Sequence, residues 1–171
     1  MNRRLSILTA GGLGFMPVAP GTWGSLPPCL FVLVLIWVGA PDWVVHLLLL
    51  SVIVLGSIAC VRLGPWAERL FSGKDPGAVV IDEVAGMALT MLFVPLHPLG
   101  SDAPWGAMVV VGGAFVLFRI FDVVKPPPAN SMQQFPSGWG ILLDDLVAGV
   151  FANLTLQAFL RIGLPVLVAG G

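Results

Sequence analysis

The sequence predicts an all-α fold, a polytopic integral-membrane helical bundle of about five apolar helices with a cytoplasmic N-terminus. Three observations predict it. Of 171 residues, 57 % are apolar and 10 % charged, against about 45–50 % and about 25 % in soluble domains. Long apolar runs recur, each ended by Pro/Gly or polar breakers. The lysines and arginines gather at alternate run ends, as membrane topology requires. The length suits a single membrane-embedded domain, 1–171, because a soluble core of this size has no use for so much apolar surface. No basic stripe or interleaved aromatic surface points to a nucleic-acid partner, and the net charge of -1 says nothing of one. Nothing in the chain specifies an oligomeric state.

The opening MNRRLSILTAGGLGF has the charge of a signal peptide, but glycines break its apolar stretch. It reads as a retained cytoplasmic or interfacial start. Leu26 to Val38 is the first apolar run, closed by the turn signal Gly39-Ala40-Pro41-Asp42. At about 1.5 Å per residue it is short for a span, so it begins nearer Gly24, sits in a thinned bilayer, or is a re-entrant half-helix. Trp43 to Val61 is long enough to cross. The polar stretch Arg62 to Gly77 follows, part of it reading as an interfacial amphipathic helix.

The third run, Ala78 to Leu96, carries Asp82 and Glu83 near its start, and the loop His97 to Ala103 has Pro98 and Gly100 as breakers. Trp105 to Phe121 is the fourth crossing, stopped by Pro126, Pro127 and Pro128. A polar loop runs to Gly140, and Ile141 to Leu160 is the fifth crossing, with Asp144 and Asp145 at its start. The final LVAGG reads as a frayed end. Cys29 and Cys60, both within apolar runs, read as small buried hydrophobes.

Five crossings place Arg3, Arg4, Arg62, Arg69, Lys74, Arg119 and Lys125 on one side and only Arg161 on the other. That side is the cytoplasm. The same assignment gathers Asp82, Glu83, Asp122, Asp144 and Asp145 at the cytoplasmic helix ends, although no acid was used to make it.

In FRIFDVVKPPP, Arg119, Asp122 and Lys125 stand three apart and share a helix face. Five of the chain's nine acids lie in or beside apolar helices, where a charge at mid-helix costs about 2.5–3.5 kcal/mol. Singly, each reads equally well as a helix-end charge reaching the interface. Together, with only Arg119 and Lys125 nearby, they call for a divalent cation. Carboxylates without Cys or His make it hard and oxygen-ligated, hence magnesium rather than zinc.

PVAPGTWGS, Pro17 to Ser25, offers backbone N–H groups and the Thr22 and Ser25 hydroxyls to an anion at the first helix start, or is an ordinary turn and N-cap. Cations beside metal-binding carboxylates supply what phosphate chemistry requires. Ion pairing within a bundle is the plainer reading of the same residues. Neither His46 nor His97 is placed to act as a base on the cytoplasmic side.

Four blocks, PGTWGS, VIDEVAGM, FRIFDVVKPPP and GWGILLDDLVAG, together resemble the phosphatidylglycerophosphatase A family in order and spacing, over about Pro17 to Val150. The resemblance implies a magnesium-dependent enzyme of the bacterial cytoplasmic membrane, its active site facing the cytoplasm. Its reaction would release the terminal phosphate of phosphatidylglycerophosphate, a phospholipid substrate, to give phosphatidylglycerol. Carried over by position, Gly21, Thr22 and Ser25 would contact the phosphate or headgroup, with Arg119 and Lys125. Asp82, Glu83, Asp122, Asp144 and Asp145 would supply the metal site, with Asp82, Arg119, Asp122, Lys125 and Asp145 in catalysis. Water attack and direct aspartate attack both fit. At Asp75-Pro76-Gly77 this chain lacks a histidine that some members place beside the glycine.

Pro136-Ser137-Gly138-Trp139 has tryptophan where phosphohistidine lipid phosphatases need their nucleophile, and an Asp-x-Asp nucleophile motif is absent. A phosphatidyl transferase of the CDP-alcohol type would need four spaced aspartates with a glycine, which are missing. A cation carrier or channel component would need its acids along a route across the bilayer, whereas these gather at one face.

Overall fold

Among the described residues, four helices are long and apolar enough to cross a membrane: Pro20–Trp37, Asp42–Phe71, Trp105–Val124 and Gly138–Gly163. The computed structural model describes residues 2–97 and 104–165, and no strand occurs among them. The elements are α1 (Arg3–Leu8), a 3-10 turn (Ala10–Phe15), α2 (Pro20–Trp37), α3 (Asp42–Phe71), α4 (Ile81–Thr90), α5 (Pro104–Val124), α6 (Ala129–Met132) and α7 (Gly138–Ala158), which a π turn (Phe159–Gly163) extends. The expected breakers Pro98 and Gly100 and the terminal LVAGG lie outside the described residues.

Three expectations are corrected. The first apolar helix is not short, because it starts at Pro20 and runs through Pro27 and Pro28. Its 18 residues span about 27 Å. Pro20 at the first turn suits the fixed proline φ, and the Ser25 hydroxyl donates back to the Gly21 carbonyl at 2.8 Å in the second turn.

The third run is not a full helix. Only Ile81–Thr90 is helical, about 15 Å long. The chain continues as an irregular segment to the far end of the bundle, where His97 Nε2 lies 3.7 Å from Asp42 Oδ1 and the Phe93 N–H donates to His46 Nδ1 at 3.3 Å. Irregular backbone at membrane depth requires protein partners for its polar groups. α7 supplies them, with Asn153 taking three carbonyls at the end of α4.

The polar stretch after Val61 is not a separate interfacial helix. α3 continues to Phe71 and ends on Ser72 in the left-handed conformation, φ 54°.

α4 and α7 both start at the acidic end of the bundle and run side by side. Asp82, Gly86 and Thr90 form a stripe on α4 at four-residue spacing, and Asp145, Gly149 and Asn153 form its counterpart on α7. The helices meet at the glycines. A Cβ on Gly149 would fall 3.3–3.4 Å from the Gly86 backbone carbon atoms and collide with its carbonyl oxygen, while one on Gly86 would lie 2.7 Å from the Asp145 carbonyl oxygen. Small residues are what allow membrane helices this approach. Around the contact, Met87, Met91, Phe118, Ala148 and Ala152 make a continuous buried core.

Gly86→Ala and Gly149→Ala are each expected to destabilise the bundle by roughly 1–3 kcal/mol, the usual cost of overpacking. Thermal unfolding in detergent checks this; unchanged midpoints would contradict the close approach.

Candidate active site

Each carboxylate of the central cluster is placed by a helix start. Asp82 and Glu83 occupy the first turn of α4, where unpaired N–H groups and the helix dipole favour negative charge. Asp145 lies two turns into α7, opposite them. One oxygen from each of Asp82, Glu83 and Asp145 falls within 4.8 Å of the others. Asp82 and Asp145 are 5 % and 4 % exposed, and Asp82 Oδ1, Glu83 Oε2 and Asp145 Oδ2 are buried without a hydrogen-bond partner. Three carboxylates with unsatisfied oxygens cannot all be ionised in an apolar bundle without a compensating charge. An all-oxygen donor set of this kind fits magnesium.

Asp122 and Asp144 stand outside this triad. Arg119 NH1 approaches Asp122 Oδ2 at 2.7 Å, one turn apart on α5. Asp122 also borders Asp145 and Glu83, so the pair adjoins the cluster. Lys125 lies just past the end of α5, with φ 46°, and its Nζ meets Asp144 Oδ2 at 2.5 Å. Gln133 Nε2 donates to the same oxygen at 3.0 Å. Helical spacing alone would have put Lys125 beside Arg119; the left-handed turn ahead of the prolines carries it to α7 instead. Gln133 gave no signal in the sequence, being one amide in a polar loop. Burial alone would lower the Lys125 ammonium's pKa, but the hydrogen bond to Asp144 and the charges of Asp144, Asp145 and Asp122 outweigh it and raise the value.

The start of α2 abuts the cluster through Gly21. A Cβ there would fall 3.2 Å from Glu83 Cδ and 3.1 Å from Arg119 NH1, and would collide with a Glu83 oxygen. The missing side chain lets the Glu83 carboxylate and the Arg119 guanidinium close directly against the α2 backbone. Ser25 is buried with its hydroxyl turned back to the Gly21 carbonyl, so it props this turn. Thr22 is half-buried beside it. All four sequence blocks therefore meet at one end of the bundle.

The family model for phosphatidylglycerophosphatase A matches residues 6–160, which takes in every residue of this site. The chain belongs to the phosphatidylglycerophosphatase A family. Among curated relatives, the phosphatidylglycerophosphatase A of Escherichia coli is 32 % identical over 154 residues, covering 89 % of this chain and 81 % of that protein. The phosphatidylglycerophosphatase A of Haemophilus influenzae is 28 % identical over 160 residues, covering 90 % and 87 %. A Bacteroides thetaiotaomicron protein, whose name provisionally assigns it as a phosphatidylinositol-3-phosphatase, is 36 % identical over 155 residues, covering 86 % and 87 %. No solved structure matches the chain.

The Lys125–Asp144 pair makes stability depend on alkaline pH. A lysine pKa raised by folding stabilises fully below its unfolded value of about 10.4, and that stability is lost as pH rises through the folded value. Unfolding midpoints should therefore fall on the alkaline limb in the unaltered protein, and Lys125→Met should lower the midpoint at pH 7 and flatten that limb. Parallel alkaline limbs in both proteins would contradict the pairing.

Proposed function

We propose that this protein is a magnesium-dependent phosphatidylglycerophosphatase of the bacterial inner membrane, working on the cytoplasmic leaflet. The observation that carries the proposal is the triad of buried Asp82 and Asp145 with half-buried Glu83, their oxygens within 4.8 Å of one another, beside Arg119 and the close-packed Gly21 turn. Membership of the family supports the substrate, and the gathering of Arg3, Arg4, Arg62, Arg69, Lys74, Arg119 and Lys125 at one set of helix ends supports the orientation.

Asp82, Glu83 and Asp145 would hold the ion. When bound, magnesium supplies Lewis-acid polarisation of the phosphate ester and lowers the pKa of water for attack. Gly21, which lets the α2 backbone approach Glu83 and Arg119, would present its turn, with Thr22 beside it, to the terminal phosphoryl group. Arg119 neutralises the non-bridging oxygens, and Asp122 fixes the guanidinium on the side of the cluster. Asp122 is the carboxylate outside the triad that borders it, and takes the proton of the attacking water. The new P–O bond forms from water, the bond to the glycerol oxygen breaks, and that oxygen takes up the proton Asp122 received from the water, which leaves phosphatidylglycerol and regenerates the carboxylate. Lys125, anchored on Asp144, which Gln133 also holds, adds positive charge at the headgroup side. A site at the ends of helices meets the phosphate of a diacyl lipid without extracting the lipid.

The test is phosphate release by purified protein in mixed micelles, with magnesium or chelator. Phosphatidylglycerophosphate and phosphatidylinositol-3-phosphate serve as parallel substrates, the second because of the Bacteroides relative's name. Magnesium-dependent release from the first is expected, with Asp82→Asn and Asp145→Asn each slowing it by roughly 100-fold or more, the scale of removing a group that stabilises transition-state charge. Release that survives chelator, or that survives both substitutions, would overturn the assignment. Preference for the inositol lipid would move the headgroup without moving the site.

A further inference from the structure

Only ten residues long, α4 ends within the bundle, which leaves carbonyls that a continuing helix would have satisfied. Each has an identifiable partner. The Ala88 and Leu89 carbonyls accept from Met91 and Leu92 N–H at 3.3 and 3.1 Å, and the Met91 carbonyl accepts from Val94 N–H at 3.4 Å. The Phe93 carbonyl accepts from Arg161 NH2 at 3.0 Å. The rest falls to one side chain. Asn153 Nδ2 donates toward the carbonyls of Leu89, Thr90 and Leu92 at 3.2, 2.9 and 2.8 Å, sharing its two N–H bonds among three acceptors. Gln157 Nε2 donates to Asn153 Oδ1 at 2.8 Å, which holds the amide with its NH2 toward α4.

Asn153 stands on the same stripe of α7 as Asp145, eight residues on, and Thr90 stands eight residues beyond Asp82. The Gly86–Gly149 contact sets how close the two helices come. Two glycine surfaces offer little resistance to sliding. A slip of one residue is about 1.5 Å, whereas magnesium demands oxygens at about 2.0–2.1 Å in near-ideal geometry. Directional hydrogen bonds from α7 to the end of α4 resist that slip, and the Thr90 hydroxyl, 3.0 Å from the Gly86 carbonyl and 3.5 Å from that of Gly149, adds little across the interface.

We propose that Asn153 is a positioning residue that fixes the register of α4 against α7, and so sets Asp82 and Glu83 at metal-binding distance from Asp145. It rests on the metal role proposed above for these carboxylates. Remote from the cluster by about two turns of helix, it touches neither substrate nor ion.

The experiment uses full-length protein in detergent, unaltered and as Asn153→Leu. Three readouts are taken: Mn2+ and Mg2+ affinity by calorimetry, amide exchange across Ala88–Leu92, and kcat and KM against magnesium and lipid. The Leu variant is expected to bind metal about 10-fold or more weakly, on the scale of lost outer-shell support. The magnesium giving half-maximal turnover should rise by the same factor, lipid KM should stay within about twofold on that scale, and exchange at the end of α4 should quicken. A Leu variant that melts earlier yet keeps wild-type metal affinity would reduce Asn153 to a structural residue and overturn the proposal. Should Asn153→Leu not fold, Asn153→Ser, which keeps one donor, decides by the same affinity. Unaltered protein that binds neither ion would overturn the metal reading itself, and this proposal with it.

Discussion

The contact between Gly86 on α4 and Gly149 on α7 is the constraint on which the rest of the structure depends. Both helices begin at the acidic end, and both carry a carboxylate one turn before the glycine. Backbone-to-backbone approach therefore brings Asp82 and Asp145 together as a consequence of packing. In a bilayer, where lipid is as apolar as the helix surface, such approach is favoured by van der Waals contact and not by hydrophobic burial. The same geometry that packs the bundle builds the cluster, and a side chain at either glycine would disturb both.

Electrostatics then sorts five acids, four of them buried, into three groups. Asp122 is paired with Arg119, and Asp144 with Lys125 and Gln133. Asp82, Glu83 and Asp145 form no ion pair among the described residues and face one another within 4.8 Å. The lack of a paired cation, and not the unsatisfied oxygen that Asp144 also retains, distinguishes a ligand set from a bundle held by ion pairs. The two cations are not spent, because each is held at the edge of the cluster by a single carboxylate.

Much of this was legible in the sequence, and the failures have physical causes. Composition gave the membrane bundle, since so few charges cannot coat a soluble domain. The acidic pairs at run starts placed the carboxylates together at one end of the bundle. Hydropathy overextended the third run, because Met91 to Leu96 is as apolar as a helix while its backbone is irregular. Apolarity reports burial, not hydrogen bonding. The partners that make the irregular backbone tolerable, Asn153 and Arg161, come from α7 and its π turn, a long-range arrangement that no local pattern records. The first helix is short by hydropathy because its apolar run starts only at Leu26, whereas the helix already begins at Pro20. Lys125 shows the limit of face arguments, since the helix they assume ends one residue earlier.

The measurement that tests the central claim most directly is a crystal structure of the protein soaked with Mn2+, read at the manganese absorption edge. One anomalous peak touching oxygens of Asp82, Glu83 and Asp145 at about 2.0–2.2 Å, the range for small hard divalent ions, is the predicted result. A peak confined to Asp144, or separate ions on α4 and α7 with Asp82 and Asp145 far apart, would contradict it.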